Sequence, residues 1–359
     1  MTQLWMQCQG QNYDPWVVAH AKALGGVKLL NPQYGDWRKF ADAGVPILGR
    51  MVWPNDSDKR HVADGAAGAE RWFADFWPTA RQCGGITLWE GPNEPTTWTI
   101  ADAQRLDAFT ARLADLFHDN GLRLVGLNYS TGHPEFALWQ HLGNALAKID
   151  YLGRHSYTCA EPWFDRDEWW HAYRLVEDVK AIRAAGLRVP PIILGETGID
   201  RAGDPAMDGW RARGVDRNTY TTLLVQYALR LGSLVPELAA VAPFTWLSTG
   251  WPSFDIDRET SAMLVNKWEP VAAEPGPLPA ITDTYLRWAR GYKVPINPDG
   301  ALAKSMMAAG QLPASDEFDH TGAAARQWGY RRSDATWHLW QWEAGKAPRI
   351  VHTEAAQRE

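Results

Sequence analysis

Pro191-Ile192-Ile193-Leu194-Gly195-Glu196-Thr197-Gly198 is the stretch that decides the fold. Proline opens it, branched apolar residues follow, and a single carboxylate interrupts the run near its end. A short continuous apolar run between turn residues reads as a strand buried on both faces, the kind that parallel sheets contain. A glutamate inside such a strand is costly unless it is paired, hydrogen-bonded or functional. Working outward, similar runs stand at Leu4–Gln9, Val27–Leu30, Pro46–Trp53, Ile86–Glu90, Arg123–Asn128, Tyr151–Tyr157 and Val241–Leu247. Helical periodicity fills the intervals near 15–24, 36–43, 67–82, 101–119, 134–148, 167–185 and 215–234, with an eighth helix expected near 282–292. Leu106, Phe109, Leu113, Leu116 and Phe117 form one apolar stripe at 3.6 spacing, and Gly44, Gly121 and Gly186 stand where helices should stop.

Eight strand-then-helix units in alternation imply parallel strands joined by helical crossovers, either as a closed barrel or as an open doubly wound sheet. The open sheet that holds a nucleotide would carry a glycine-rich loop after its first strand. Gly10-Gln11-Asn12-Tyr13-Asp14 contains no such pattern, and no GxxxxGK[ST] occurs anywhere. The expected fold is therefore a (β/α)8 TIM barrel over residues 1–293, followed by a short C-terminal extension over 294–359. Val294–Gly300 reads as a linker and 301–309 as a short helix. Thr336–Trp342 reads as an exposed strand that Arg349–His352 could pair with, either packed on the barrel or belonging to a binding module.

Composition narrows the class. The net charge of −6 offers nothing to a phosphate backbone or an anionic membrane, so no nucleic-acid or membrane partner is expected. Three cysteines without a CxxC pair suit neither a disulfide scaffold nor a zinc site. No signal-peptide pattern is visible at the start, so the expected location is cytoplasmic. No metal and no cofactor are expected: the HExxH, EF-hand and GxSxG patterns are all missing, and Asp255, Asp257 and Glu259 read as a solvated acidic loop. Tryptophan is the excess, with 21 against 11 Tyr and 10 Phe, and it has two readings: core packing, or flat faces for sugar rings.

In a (β/α)8 barrel the chemistry sits at the C-terminal ends of the strands. Strand four ends in Trp89-Glu90-Gly91-Pro92-Asn93-Glu94-Pro95, strand six in His155-Ser156-Tyr157, strand seven in Gly195-Glu196-Thr197, and strand eight in Phe244-Thr245-Trp246. Glu94 and Glu196 would face each other across the mouth. Pro95 biases Glu94 toward extended backbone. Glu90 shares strand parity with Glu94, so an inward contact with Arg50 is expected.

WEGPNEP, with HSY and LGETG following, resembles the clan A glycoside hydrolases, such as families 5 and 39. The resemblance implies a retaining mechanism on a β-linked oligo- or polysaccharide by double displacement, with Glu94 as acid/base and Glu196 as nucleophile. It further implies that Asn93 bonds the sugar 2-hydroxyl, that His155 and Tyr157 line the site, and that Trp246 is the platform under the sugar. The family pattern places an arginine near the end of strand two, where this chain reads Val27-Lys28-Leu29-Leu30-Asn31, so Arg50 on strand three is its candidate substitute. His155 and Tyr157 can also be read as satisfied core residues.

Retaining hydrolysis itself requires one ionised and one protonated carboxyl, and a like charge together with partial desolvation would keep Glu94 protonated. Trp53, Trp98, Trp163, Trp210, Trp246 and Trp251 all fall at the mouth and are the candidate sugar-binding faces, whereas Trp72, Trp77, Trp139 and Trp288 fall within helical periods. A carbohydrate is the expected partner. Two other readings stand beside the hydrolase: a barrel that binds glycan without cutting it, and a barrel lyase or isomerase, which would more naturally place a lysine or an acidic metal cluster at the strand ends.

Overall fold

The computed structural model describes residues 2–10, 12–165, 170–273, 324–331, 336–343 and 349–355. Two compact units divide the chain, Met1–Pro275 and Gly276–Glu359.

The first unit is a (β/α)8 barrel. Its strands are β1 in two segments (Gln3–Leu4 and Met6–Cys8), β2 (Val27–Leu30), β3 (Ile47–Arg50), β4 (Leu88–Glu90), β5 (Arg123–Tyr129), β6 (Tyr151–Thr158), β7 (Ile192–Ile199) and β8 (Leu238–Pro243). Every neighbouring pair is parallel. The break in β1 closes the cylinder: Leu4 pairs with Val241 of β8, whereas Met6 pairs with Val27 of β2.

Among the described residues seven α-helices connect the strands, α1 (Pro15–Leu24), α2 (Arg38–Asp42), α3 (Gly65–Gln82), α4 (Ile100–Asp119), α5 (Gly143–Lys148), α6 (Arg174–Ala184) and α7 (Arg217–Leu234), and α8 (Arg258–Ala273) follows the last of them. Among the described helices none is long and apolar enough to cross a membrane. Pro15 occupies the first turn of α1, where its missing N–H costs nothing, and Gly25 ends that helix in the left-handed region at φ 114°. A reciprocal Thr99–Asp102 capping box starts α4.

Strand parity separates two apolar layers. Outward residues such as Met6, Leu29, Trp89, Leu194 and Val241 pack under the helices. Inward residues Trp5, Leu48, Leu88, Val125, Ile193 and Ala240 fill the base of the barrel. The close fit shows at Gly49, where a Cβ would come within 2.4 Å of the Trp89 ring.

Two expectations require revision. Strand eight ends at Pro243 rather than Leu247, although Phe244 N–H still donates to Thr197 O at 2.7 Å and an isolated bridge joins Trp246 to Cys8. The helix after β8 lies at Arg258–Ala273, in the stretch that opens with the acidic residues read as a loop. Asp257 starts it, accepting from Thr260 N–H at 2.8 Å and from Arg211 and Arg217 at 2.7 Å each. The helix expected at 282–292, the linker at 294–300 and the helix at 301–309 lie outside the described residues.

In the second unit β9 (Ala324–Arg331), β10 (Thr336–Glu343) and β11 (Arg349–Ala355) form an antiparallel sheet in that order. Trp337 stands opposite Tyr330 and Trp340 opposite Gln327, with an irregularity in the β10–β11 register at Leu339/Trp340.

Candidate active site

Toward the C-terminal ends of the strands the barrel interior changes from apolar to charged. Above the Trp5–Leu48–Leu88–Ile193 layer, the next inward positions are Gln7 of β1, Lys28 of β2, Arg50 of β3, Glu90 of β4, His155 of β6 and Glu196 of β7, all buried. Glu196 reaches this layer through a bulge. Arg154 pairs with Leu194 and His155 with Glu196, so Gly195 is an extra residue that shifts the strand's parity. A side chain at 195 would not fit, since its Cβ would come within 2.6 Å of Glu90 Oε1 and 3.3 Å of Lys28 Nζ.

Glu196 has partners on both oxygens. Oε1 accepts from Arg50 Nη1 at 2.6 Å, Gln7 Nε2 at 3.2 Å and Lys28 Nζ at 3.4 Å, and Oε2 accepts from the Tyr157 hydroxyl at 2.9 Å. Lys28 Nζ also lies 2.9 Å from Glu90 Oε2 and donates to Gly195 O at 3.1 Å. Arg50 Nε stands 3.9 Å from Glu90 Oε2, so the expected Arg50–Glu90 pairing is the looser one and Lys28 takes the close contact.

Glu94 hangs over this layer from the loop after β4. Its N–H donates to Asn128 O at 3.1 Å, and its backbone is left-handed at φ 45°, not extended as Pro95 had suggested. Such a φ is costly for a residue with a Cβ and is held only where surroundings over-determine it. Here Asn128 also donates through its side chain to Pro92 O at 3.4 Å, and Asp58 Oδ2 accepts the Asn93 N–H at 3.0 Å. His155 Nδ1 is 2.8 Å from Glu94 Oε1 and 3.6 Å from Glu196 Oε2. The ligand atoms of Glu94, His155 and Glu196 all fall within 4.8 Å of one another.

These contacts set the charges. Burial pushes the Glu196 carboxyl up, but His155, Lys28, Arg50 and the Tyr157 hydroxyl outweigh it and hold the group well below the usual range. Burial likewise favours neutral Glu94, yet the His155 hydrogen bond and charge, with Arg50, hold it below the ordinary value despite Glu196 nearby. The expectation that Glu94 stays protonated through its neighbour's charge therefore fails for the unliganded protein: the imidazole dominates over the second carboxylate. Arg50 is desolvated, but the charges of Glu196, Glu90, Glu94 and Asp58 raise its pKa. The Glu94–His155–Glu196 trio has the atoms to ligate a cation. Lys28 and Arg50 against Glu196 oppose a divalent ion there.

The expected tryptophan faces separate into two groups. Trp98 is 68% exposed and meets His133 edge-on at 4.4 Å. The His133 loop is fastened from below, since buried Arg154 and Arg174 donate to the carbonyls of His133 and Pro134, and Asp178 binds Arg154 at 2.7 Å. Trp251 is half-buried and packs on Phe244 at 5.1 Å, which in turn meets Tyr157 at 6.2 Å. Trp53 is half-buried against Trp72 at 5.8 Å, and Trp163 is half-buried against the core.

Trp246 and Trp210 do not join the site. Trp246 has no exposed surface, and its indole donates to Ser261 of α8 at 3.0 Å. Trp210 is stacked on Tyr220 at 4.6 Å and donates to Phe254 O. The side chain of Asn93 leaves a buried Oδ1 without a hydrogen bond. Sequence reasoning missed Gln7, Lys28 and Phe244. For the first two the signal existed: each is a polar residue at an inward position of an otherwise apolar strand, as Glu196 is.

No protein-family model and no curated protein matches this sequence. Solved structures similar to the chain include clan A glycoside hydrolases. One is a family 5 xyloglucanase from Bacteroides ovatus in complex with a XXXG heptasaccharide, 13% identical over 74% of this chain and 73% of that one, with a TM-score of 0.45. A family 39 enzyme from Xanthomonas axonopodis pv. citri is 15% identical over 75% and 66%, at 0.43. A glucosidase from Croceicoccus marinus is 11% identical over 95% and 75%, at 0.48.

Proposed function

We propose that the protein is a retaining glycosidase acting on a β-linked oligo- or polysaccharide, with Glu196 as nucleophile and Glu94 as acid/base. The observation that carries this reading is the pair of carboxylates on opposite strands with ligand atoms within 4.8 Å, one of them held ionised by two cations and a hydroxyl. Retaining enzymes work with carboxyls about 5–5.5 Å apart, whereas inverting enzymes need a wider gap for water.

In the first step Glu196 attacks the anomeric carbon and the bond to the leaving oxygen breaks. The bonding pair departs with that oxygen, which takes a proton from Glu94, leaving Glu94 ionised and Glu196 as a neutral ester. In the second step Glu94 removes a proton from water, the water oxygen displaces Glu196, and both carboxyls return to their starting states. The proton of the first step is that of the Glu94 carboxyl, whose Oε1 lies 2.8 Å from His155 Nδ1. Asn93, beside Glu94, is the side chain assigned to a sugar hydroxyl, and Trp98 is the exposed aromatic face.

The test is a panel of aryl β-glycosides and β-linked polysaccharides, with NMR of the first-formed anomer. Retention with at least one sugar supports the reading, and an inverted product sinks the double displacement. One observation favours a second reading, a barrel that binds glycan without cutting it: the resting Glu94 is held ionised. Tight glycan binding without release of reducing ends across the panel would decide for it.

A further inference from the structure

Glu90 is a buried carboxylate that the two-step chemistry does not consume, and the double displacement creates a need for it. The resting layer holds two cationic side chains, Lys28 and Arg50, over two carboxylates, Glu90 and Glu196. When Glu196 becomes an ester its charge disappears, while both cations stay buried. A buried charge deprived of its counter-ion is strongly destabilising. We propose that Glu90 is a positioning residue, the counter-ion that takes up Lys28 and Arg50 while Glu196 is esterified, so that the covalent intermediate forms without stranding charge. The proposal rests on the retaining reading.

Three observations support it. Lys28 Nζ already lies nearer Glu90 (2.9 Å) than Glu196 (3.4 Å), so its transfer requires almost no movement. Both Glu90 and Arg50 have spare capacity, since Glu90 Oε1 and Arg50 Nε lack hydrogen-bond partners, and Arg50 Nε stands 3.9 Å from Glu90 Oε2. Glycine at 195 is what admits the Glu90 carboxylate beneath the nucleophile.

The experiment uses 2,4-dinitrophenyl 2-deoxy-2-fluoro-β-glycosides of several sugars, which accumulate the ester. Rates of adduct formation and of reactivation are followed by intact mass in wild type, Glu90→Gln and Lys28→Gln/Glu90→Gln, each checked for folding by circular dichroism. Glu90→Gln should form the adduct on the order of tenfold to a hundredfold more slowly and should reactivate faster, because breakdown restores the missing anion. The double variant, with one cation and one anion removed together, should recover most of the loss. It also serves as the comparison if Glu90→Gln alone does not fold, in which case adduct formation within about tenfold of wild type is the supporting result.

Folded Glu90→Gln that labels and reactivates at wild-type rates overturns the counter-ion role while leaving the retaining reading intact. So does a double variant that recovers nothing. Wild type that labels with no sugar, although it hydrolyses the parent glycoside, overturns the retaining reading and the counter-ion role with it.

Discussion

His155 Nδ1 sits 2.8 Å from Glu94 Oε1, and this hydrogen bond, the imidazole charge and Arg50 together outweigh burial and the neighbouring Glu196 in setting the charge of Glu94. A general acid works in its protonated form, and kcat/KM reports the free protein. A lowered Glu94 pKa therefore places the alkaline limb of the kcat/KM profile at acidic pH. His155→Phe removes the donor and its charge, leaving burial and Glu196, which raise Glu94, against Arg50 alone. The limb should move to higher pH. A limb that stays in place would show that Glu94 is not the acid.

The exchange of Glu196 for its amide tests the other carboxyl. Glu196→Gln should abolish turnover, while Glu94→Gln should keep activity toward leaving groups that need no proton. The stability effect has a defined sign. The folded pKa of Glu196 lies below its ordinary 4.5, so its ionised form stabilises the fold fully above that value and progressively less as pH falls toward the folded value. Glu196→Gln should thus lower stability near pH 7 by about 1.5–3 kcal/mol through its lost charge-assisted hydrogen bonds, Glu90 remaining as counter-ion to Lys28 and Arg50. It should also flatten the dependence of Tm on pH below 4.5.

At Gly195 the obstacle is steric. Gly195→Ala brings a Cβ to within 2.6 Å of a carboxylate that Lys28 holds in place. Overpacking of this kind costs about 1–3 kcal/mol, measurable by denaturant titration. A neutral substitution would mean that Glu90 has another place to go.

Exposure distinguishes the tryptophans. Trp98→Ala should leave stability within about 0.5 kcal/mol and raise KM for oligosaccharides. Trp246→Ala should cost about 3–5 kcal/mol, as deletion of a fully buried indole that also loses its hydrogen bond to Ser261 does. Equal loss of stability in both variants would contradict this division.

Much of the barrel could be read from period alone, because a buried parallel strand and an amphipathic helix leave different apolar spacings. Glu196 and Glu90 were legible for the same reason: a charge at an inward position of an apolar run stands out. Lys28 carries the same signal, a charge at an inward position of the apolar run Val27–Leu30. Trp246 was illegible, since a tryptophan at a strand end suits both the mouth and the seam beneath α8, and only the Ser261 contact separates the two. The ionisation of Glu94 was misjudged because proximity to one carboxylate is visible in strand order, whereas the direction of a histidine nitrogen is not. Its left-handed backbone was equally hidden, arising from the Asn128 carbonyl about a strand away.

The broken first strand links assembly to chemistry. Leu4 must wait for Val241, more than two hundred residues later, before the cylinder can shut, and pairings so distant in sequence form slowly. Gln7, on the other segment of β1, delivers its amide to Glu196, and its carbonyl accepts from the Trp246 N–H at 2.8 Å and the Thr245 hydroxyl at 3.0 Å, both just beyond β8. A chain whose last strand is unmade therefore lacks two of the bonds that fix one donor to its nucleophile, and sealing the barrel and steadying the carboxylate become linked events.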